Sequence, residues 1–418
     1  MASDQLEPQA SPVSHERATC CIIGGGPAGM LLAYLLARQG VSVILLEAHM
    51  DFDREFRGDS LHPNTLEIMD ELGLSERLLK LPHTQLSGFT LQTETGPVSI
   101  SLARLKTRHP YVTFIPQAVF LDFIAKEAQR FPQFRLLMGA QVVELIEEDG
   151  VIRGVRYQSH SGAGEVRADL TVGADGRFSK ARKLAGFEPV AMAAPLDILW
   201  FRLTRRPDDQ LNDLGGRFFR RRIIVIINRF SYWQIGYVIP KGGYQAVRAA
   251  GLEAFRDTVA RAIPELADRC QELQEWKQIS VLSVESSYLT RWYRPGLLLI
   301  GDAAHVMSPV GGVGVNYAIQ DAVETANLLG PKLKAGAVQP SDLAAVQRRR
   351  AFPTRVIQRF QVFLQRFIFQ DGDVSASDAP FAVPAVVRWA LATPLGVIPA
   401  RLLAFGVRPA HIQRGVSD

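Results

Sequence analysis

The sequence predicts an α/β fold with an antiparallel sheet inserted into it and a helical segment at its C-terminal end. Three observations carry that prediction. Residues 19–23 (TCCII) read as a buried strand that breaks into GGGPAG, Gly24 to Gly29, before an apolar helix (MLLAYLLARQG) and a second strand (VSVILLE). This is a βαβ unit, Rossmann-like and of the GxGxxG type. Residues 196–240 then change character, with LDILWFRL, RIIVIIN and YWQIGYVIP rich in β-branched and aromatic residues and a hairpin around 229–231. Beyond residue 315 the apolar spacing is helical almost throughout.

The remaining elements follow in order. Gly40 stops the first helix. HPNTLEIMDELGL (62–74) has helical spacing, with Pro63 in its first turn and Gly73 near its end. FTLQT, VSISL and VTFI alternate as short strands, and QAVFLDFIAKEAQRF (117–131) is an amphipathic helix. FRLLMG, QVVELIEEDG and VIRGVRYQS read as strands joined by turns, and DLTVGADG (169–176) runs a strand into a Gly-Asp turn. Residues 252–275 are helical, and GLLLI (296–300) returns to the parallel core.

At 418 residues the chain is long enough for two or three domains sharing a large core. Its 47% apolar and 21% charged residues are an ordinary globular balance. The net charge of +5 suits an anionic cofactor or substrate, and no clustered basic stripe argues for nucleic acid. Cys20 and Cys21 are neighbours and, with Cys270, make no disulfide framework, which points to a reducing compartment. Residues 1–18 read as a disordered tail without the apolar core of a secretory signal. No apolar run approaches the roughly 18 residues a membrane span needs, so a cytoplasmic protein is expected. The histidines show no metal-binding spacing, and no G-x-S-x-G elbow is present.

In Gly24-x-Gly26-x-x-Gly29 the first glycine permits the tight turn and the second lets backbone approach a pyrophosphate. The third lets helix and strand pack closely. The helix N-terminus turns free amides and the positive end of its dipole toward the phosphates. Glu47, at the end of the next strand, stands where an acid bonds a ribose hydroxyl. A second glycine-rich turn, GDAAHVMSPVGGVGVN (301–316), follows GLLLI much later in the chain.

Three blocks in order resemble the group A flavoprotein monooxygenases, the para-hydroxybenzoate hydroxylase-like family of FAD-dependent hydroxylases. They are the cradle with its acid followed by FRGDSLHPNTLEIMDELGL, then GADGRFSKAR (173–182), then GDAAHVMSPVGGVGVNYAIQDAVETANLL. The resemblance implies a discontinuous FAD-binding domain over 19–85, 111–190 and 281–335. It also implies a substrate-binding sheet over 86–110 and 191–280 and a C-terminal helical segment over 336–418. Gly24, Gly26, Pro27, Ala28, Gly29, Glu47 and Ala48 would bind the adenosine end of FAD. Arg57, Gly58 and Gln117 match residues the family places near the cofactor, Val142 lies where its backbone contacts adenine, and Asp175 supports FAD in its Asp-Gly block. Gly301 and Asp302 would meet the ribityl chain. Pro309 would lie beside the ring on the substrate side, and Gly312, Gly314, Val315 and Asn316 would face the pyrimidine carbonyl. His305 reads as part of the turn's scaffold, and no residue stands out as a catalytic base.

The implied activity is hydroxylation of an aromatic or polycyclic small molecule, with NADPH or NADH as transient reductant, O2 as co-substrate and a flavin C4a-hydroperoxide as oxidant. Trp200, Phe218, Tyr232, Trp233 and Tyr237 would roof the flavin. Trp200, Arg202, Gln234 and Tyr237, with Pro309, are the pocket candidates, since alternation gives two faces without saying which is inside. A solvated strand end is the reading of Arg220–Arg222. The apolar tail from 376 is expected to dock on its own domain or on a partner in a homodimer, with a membrane-surface element as the alternative. An FAD-dependent dehydrogenase or reductase of the same fold and a non-catalytic flavin- or quinone-binding protein stay open. Halogenation is disfavoured because YWQIGYVIP lacks the second tryptophan of the halogenase signature.

Overall fold

The computed structural model describes residues 14–53, 59–93, 96–209, 214–219, 222–229, 231–368, 388–389, 391, 393 and 396–413. Its central sheet runs Tyr293–Arg294, Leu297–Leu299, Gly162–Gly173, Ser14–Ile23, Val43–Glu47, Phe134–Met138. Every seam from Leu297–Leu299 to Phe134–Met138 is parallel. Strands covered on both faces read as unbroken apolar runs, and Cys20, Cys21, Ile22, Val43 and Leu45 are completely buried. Helix Pro27–Arg38 is buried from Ala28 to Ala37, as an all-round apolar helix must be. It lies between helices Gln117–Ala128 and Gly314–Lys334.

The first strand starts at Ser14, so residues 14–18 of the expected disordered tail belong to the sheet, paired in parallel with Gly164–Ala168. Ser14, His15 and Arg17 are exposed, so no apolar pattern marked the extension; residues 1–13 lie outside the described residues.

A second sheet orders its strands Ser280–Ser283, Leu196–Thr204, Tyr232–Pro240, Arg222–Asn228, Leu214–Phe219, Gly88–Thr93, Gly96–Ser101. Its seams are antiparallel except one, Leu214–Phe219 beside Gly88–Thr93. Those strands are remote in sequence, so no hairpin dictates their direction. The expected boundary at residue 281 falls inside the edge strand Ser280–Ser283. Helix Leu252–Ala262 and the 3-10 turns of Pro264–Glu272 cover one face of this sheet. The single helix expected over 252–275 breaks at Ile263 because Pro264 forces the residue before it out of the α region.

Gly314–Lys334 and Pro340–Ile368 are the long C-terminal helices, and Val397–Phe405 packs Ala400, Ala404 and Phe405 onto Leu102, Leu105 and Val112 of the same chain. Among the described residues no helix is long and apolar enough to cross a membrane. The three cysteines are buried and free.

Candidate functional site

The first glycine-rich turn is built against the start of the Asp-Gly block. Gly24 has φ +100°, and a Cβ there would stand 2.6 Å from Asp175 Cα. A Cβ on Gly29 would meet the Gly24 carbonyl oxygen at 2.0 Å. Gly26 differs, since the nearest atom to its Cβ position is the Ala174 oxygen at 4.0 Å. It precedes Pro27 at the start of a helix that no side chain among the described residues caps. Glu47 Oε2 accepts the Gly25 N–H at 2.8 Å, and Oε1 accepts the His49 N–H at 3.0 Å and pairs with His49 Nδ1 at 2.7 Å. Ala140 donates its N–H to the Glu47 carbonyl at 2.9 Å, which brings buried Val142 beside the same strand end. Ala48 is exposed.

The second turn is held from beneath by a buried charge cluster. Asp321 Oδ2 accepts the Gly301 N–H at 3.0 Å and pairs with His305 Nε2 at 2.5 Å, while Arg350 Nε donates to Oδ1 at 2.8 Å. Burial pushes the Asp321 carboxyl up, and His305 and Arg350 more than offset it, leaving it below its ordinary value. His305 is thus fully buried under the turn. Arg182 Nη1 donates to the Asp302 and Ala303 carbonyls at 3.3 and 3.1 Å, joining the Asp-Gly block to the Gly-Asp block. The Asp175 carboxylate is taken up by Ser179 Oγ and the Lys180 and Ala181 N–H groups. Burial raises its pKa against those bonds. What Asp175 lends the first turn is therefore its backbone.

Farther along, Pro309 is half-buried at the head of the Val310–Gly312 turn. Gly312 has φ +63°, and Ser60 Oγ donates to its carbonyl at 3.0 Å. Asn316 Nδ2 donates to the Ser60 and Gly312 carbonyls, and its Oδ1 accepts the His62 N–H at 2.8 Å and Thr65 Oγ1 at 2.7 Å. That side chain is fully engaged in tying the turn to residues 60–65. Gly314 opens the next helix with no atom within 4 Å of its Cβ position and no side-chain cap, and Val315 follows it half-buried.

Three residues here were not singled out in the sequence. Asp59 Oδ1 accepts the Gln117 N–H at 3.1 Å, Arg229 Nη2 lies 2.8 Å from Asp59 Oδ2, and Arg229 Nε donates to Gln234 Oε1 at 2.7 Å. Burial raises the Asp59 pKa, opposed by Arg229. His62 is 2% exposed, and its Nδ1 donates to the Leu403 carbonyl at 2.8 Å. Burial lowers its pKa to about 4. Asp59 and His62 stand within the block FRGDSLHPNT, but isolated polar residues leave no periodic signature. Arg57 and Gly58 lie outside the described residues.

The second sheet separates the pocket candidates by face. Trp200 pairs with Gly236 and Arg202 with Gln234, whereas Tyr237 pairs with Leu199. Trp200 and Gln234 therefore share a face that Tyr237 does not. Tyr237 packs edge-on against Phe255 of the covering helix, ring centroids 5.4 Å apart, and leaves the pocket set. Trp233 shares that covered face and donates Nε1 to Asp209 at 2.7 Å, so it too is no roof residue. On the other face the Trp200 indole lies across Gly236, where a Cβ would approach within 2.7 Å, and its buried Nε1 has no hydrogen-bond partner among the described residues. Gln234 is 6% exposed, while Arg202 is exposed and stacks over Tyr232. The Phe218 side chain, Arg220 and Arg221 lie outside the described residues; Arg222 is exposed.

Residues 17–360 match the FAD binding domain family. Over 410 residues the chain is 35% identical to 6-methylpretetramide 4-monooxygenase from Streptomyces rimosus, covering 96% of each. This chain belongs to the group A flavoprotein monooxygenases. It is an FAD-dependent monooxygenase that uses a reduced nicotinamide and O2. Among solved structures, p-nitrophenol 4-monooxygenase PnpA from Pseudomonas putida DLL-E4 superposes with a TM-score of 0.75 at 19% identity, covering 94% of this chain and 98% of that one. The anhydrotetracycline hydroxylase OxyS from Streptomyces rimosus gives 0.72 at 23%, covering 93% and 76%. At those identities they show a shared mixed α/β fold. FAD fits the enzyme's own geometry, because Gly26 and Gly314 each leave room before an uncapped helix N-terminus, where anionic groups are stabilised.

Proposed function

We propose that this enzyme hydroxylates an aromatic or polycyclic small molecule held between the second glycine-rich turn and the Trp200–Gln234 face of the second sheet. The sidedness of that sheet carries the reading. One face is closed by helices, and the other, tied through Arg229 to Asp59 beside Gln117, presents the Trp200 indole. A flat aromatic surface suits a ring system. The names of the relatives, 6-methylpretetramide 4-monooxygenase and anhydrotetracycline hydroxylase, support the same substrate class.

On this reading, residues 14–85, 111–190 and 284–335 form a Rossmann-like FAD-binding domain and 86–110 with 191–283 the substrate domain. Gly24, Gly26 and Gly29 admit the pyrophosphate, and Glu47 meets the adenosine ribose. Asp302 takes the ribityl hydroxyls, and the amides at Gly314 and Val315 stabilise negative charge on the ring. FAD, when bound, supplies hydride acceptance from the nicotinamide and activation of O2. The chain's part is to orient ring and substrate and to exclude water. His305, paired with Asp321, serves as scaffold. The buried free thiols fit a reducing, cytoplasmic setting.

The test is to purify the protein, read bound FAD by its absorbance, and follow NADPH oxidation, oxygen uptake and product with aromatic polyketides and phenols. The expected result is a product gaining one oxygen atom in step with O2 consumed. Substrate turnover in the absence of oxygen would replace the proposal with a dehydrogenase.

A further inference from the structure

Helix Pro340–Ile368 presents Thr354, Gln358, Gln361 and Gln365 on one face, each at most 2% exposed. Three amides in a row are an unusual lining for a buried helix face. Their nitrogens all point at the segment that carries Pro309. Gln358 Nε2 donates to the Ser287 and Val306 carbonyls, both at 2.9 Å. Gln361 Nε2 donates to Ser308 O at 2.9 Å and Val310 O at 2.7 Å, and Gln365 Nε2 donates to Ser308 Oγ. A carbonyl oxygen only accepts, so the partners fix the amide orientation of Gln358 and Gln361. The three Oε1 atoms are left buried with no hydrogen-bond partner among the described residues. Unmade bonds of this kind are costly inside a protein, so the donor side must be what the helix face is built for.

The two carbonyls held by Gln361 belong to the residues on either side of Pro309. Proline has no N–H of its own with which to anchor the stretch. One amide therefore holds the Ser308–Pro309 and Val310–Gly311 peptide groups that bracket it. Gln361 lies just beyond the family-matched segment, which ends at residue 360.

We propose that Gln361 is a positioning residue that fixes Pro309 against the cofactor ring and thereby couples NADPH consumption to hydroxylation. This rests on the reading of Pro309 as a ring-side residue. The test compares Gln361→Met with Gln358→Met in the FAD-loaded enzyme. Both lose two buried amide bonds from the same helix face, but only Gln361 brackets Pro309. Visible circular dichroism of bound FAD reads the ring environment without substrate. Product formed per NADPH oxidised is measured with 6-methylpretetramide and anhydrotetracycline as probes. Both variants should lose similar thermal stability, while only Gln361→Met changes the dichroism and lowers the product ratio by about tenfold, as a small misplacement near the reacting atoms does. If Gln361→Met does not fold, Gln361→Asn, which keeps the amide but shortens its reach, carries the same expectation. An unchanged dichroism and ratio in the Gln361 variant, or an equal loss in Gln358→Met, overturns the proposal alone. A wild-type protein that binds no FAD overturns the reading of Pro309 and this proposal with it.

Discussion

The two glycine-rich turns solve the same problem by opposite means. Gly24 and Gly29 are required by backbone within a few residues or on the adjacent strand, where a Cβ would collide with Asp175 Cα or the Gly24 carbonyl. The turn from Gly301 to Asn316 is instead held by side chains from outside it, namely Asp321 of the following helix and, from distant segments, Arg182, Ser60 and Gln361. A turn made by local backbone sterics leaves a sequence motif. A turn made by tertiary hydrogen bonds leaves scattered polar residues that acquire meaning only once the chain is folded.

Substitutions can break this contrast in order of expected effect. Gly29→Ala should be the most damaging, because its methyl would stand 2.0 Å from a backbone oxygen that has little freedom to move. A loss of about 4 kcal/mol or more in urea unfolding of the apoprotein is expected; a loss below about 1 kcal/mol would show that the first turn relaxes easily.

The second turn should respond to pH through His62. Its folded pKa of about 4 lies below the ordinary 6.5, so the unfolded chain binds the proton more readily. Stability contributed by keeping His62 neutral is full above about 6.5 and falls as pH drops toward 4, by about 3 kcal/mol in total. His62→Gln, whose amide can still donate to Leu403, should flatten this part of the curve of Tm against pH. An unchanged acid slope in the variant would assign the loss to other groups.

The smallest effect on folding, and the sharpest on the cofactor, should come from Gly26→Ala and Gly314→Ala. Neither methyl meets protein closer than 4.0 Å, so apoprotein stability should shift by less than about 1 kcal/mol. FAD affinity should fall about tenfold, or roughly 1.4 kcal/mol. Titration of apoprotein with FAD separates the two quantities, and full affinity in both variants would mean that neither helix end receives the cofactor.

Much of the candidate site's framework was legible before folding. The GGGPAG cradle, Glu47 and the 301–316 turn are contiguous or follow a strand at a fixed place, so spacing alone marks them. Asp59, His62, Arg229 and Gln361 were silent, because each becomes meaningful through a partner far away in sequence, such as Gln117, Leu403, Asp59 or Ser308. The face of the second sheet was undetermined for the same reason. Period-two alternation defines two sides of YWQIGYVIP, but only the packing of Phe255 onto Tyr237 shows which side the helices close.

By itself, then, the sequence determined the parallel core, the place of both glycine-rich turns and the kinship with FAD-dependent monooxygenases, because these rest on apolar runs and on motifs contiguous in the chain. Tertiary structure alone decided that the first strand begins at Ser14, that one seam of the second sheet is parallel, that Tyr237 faces away from Trp200, and that a glutamine of the C-terminal helix brackets Pro309. Those features depend on which distant surfaces meet, and a linear pattern carries no term for that.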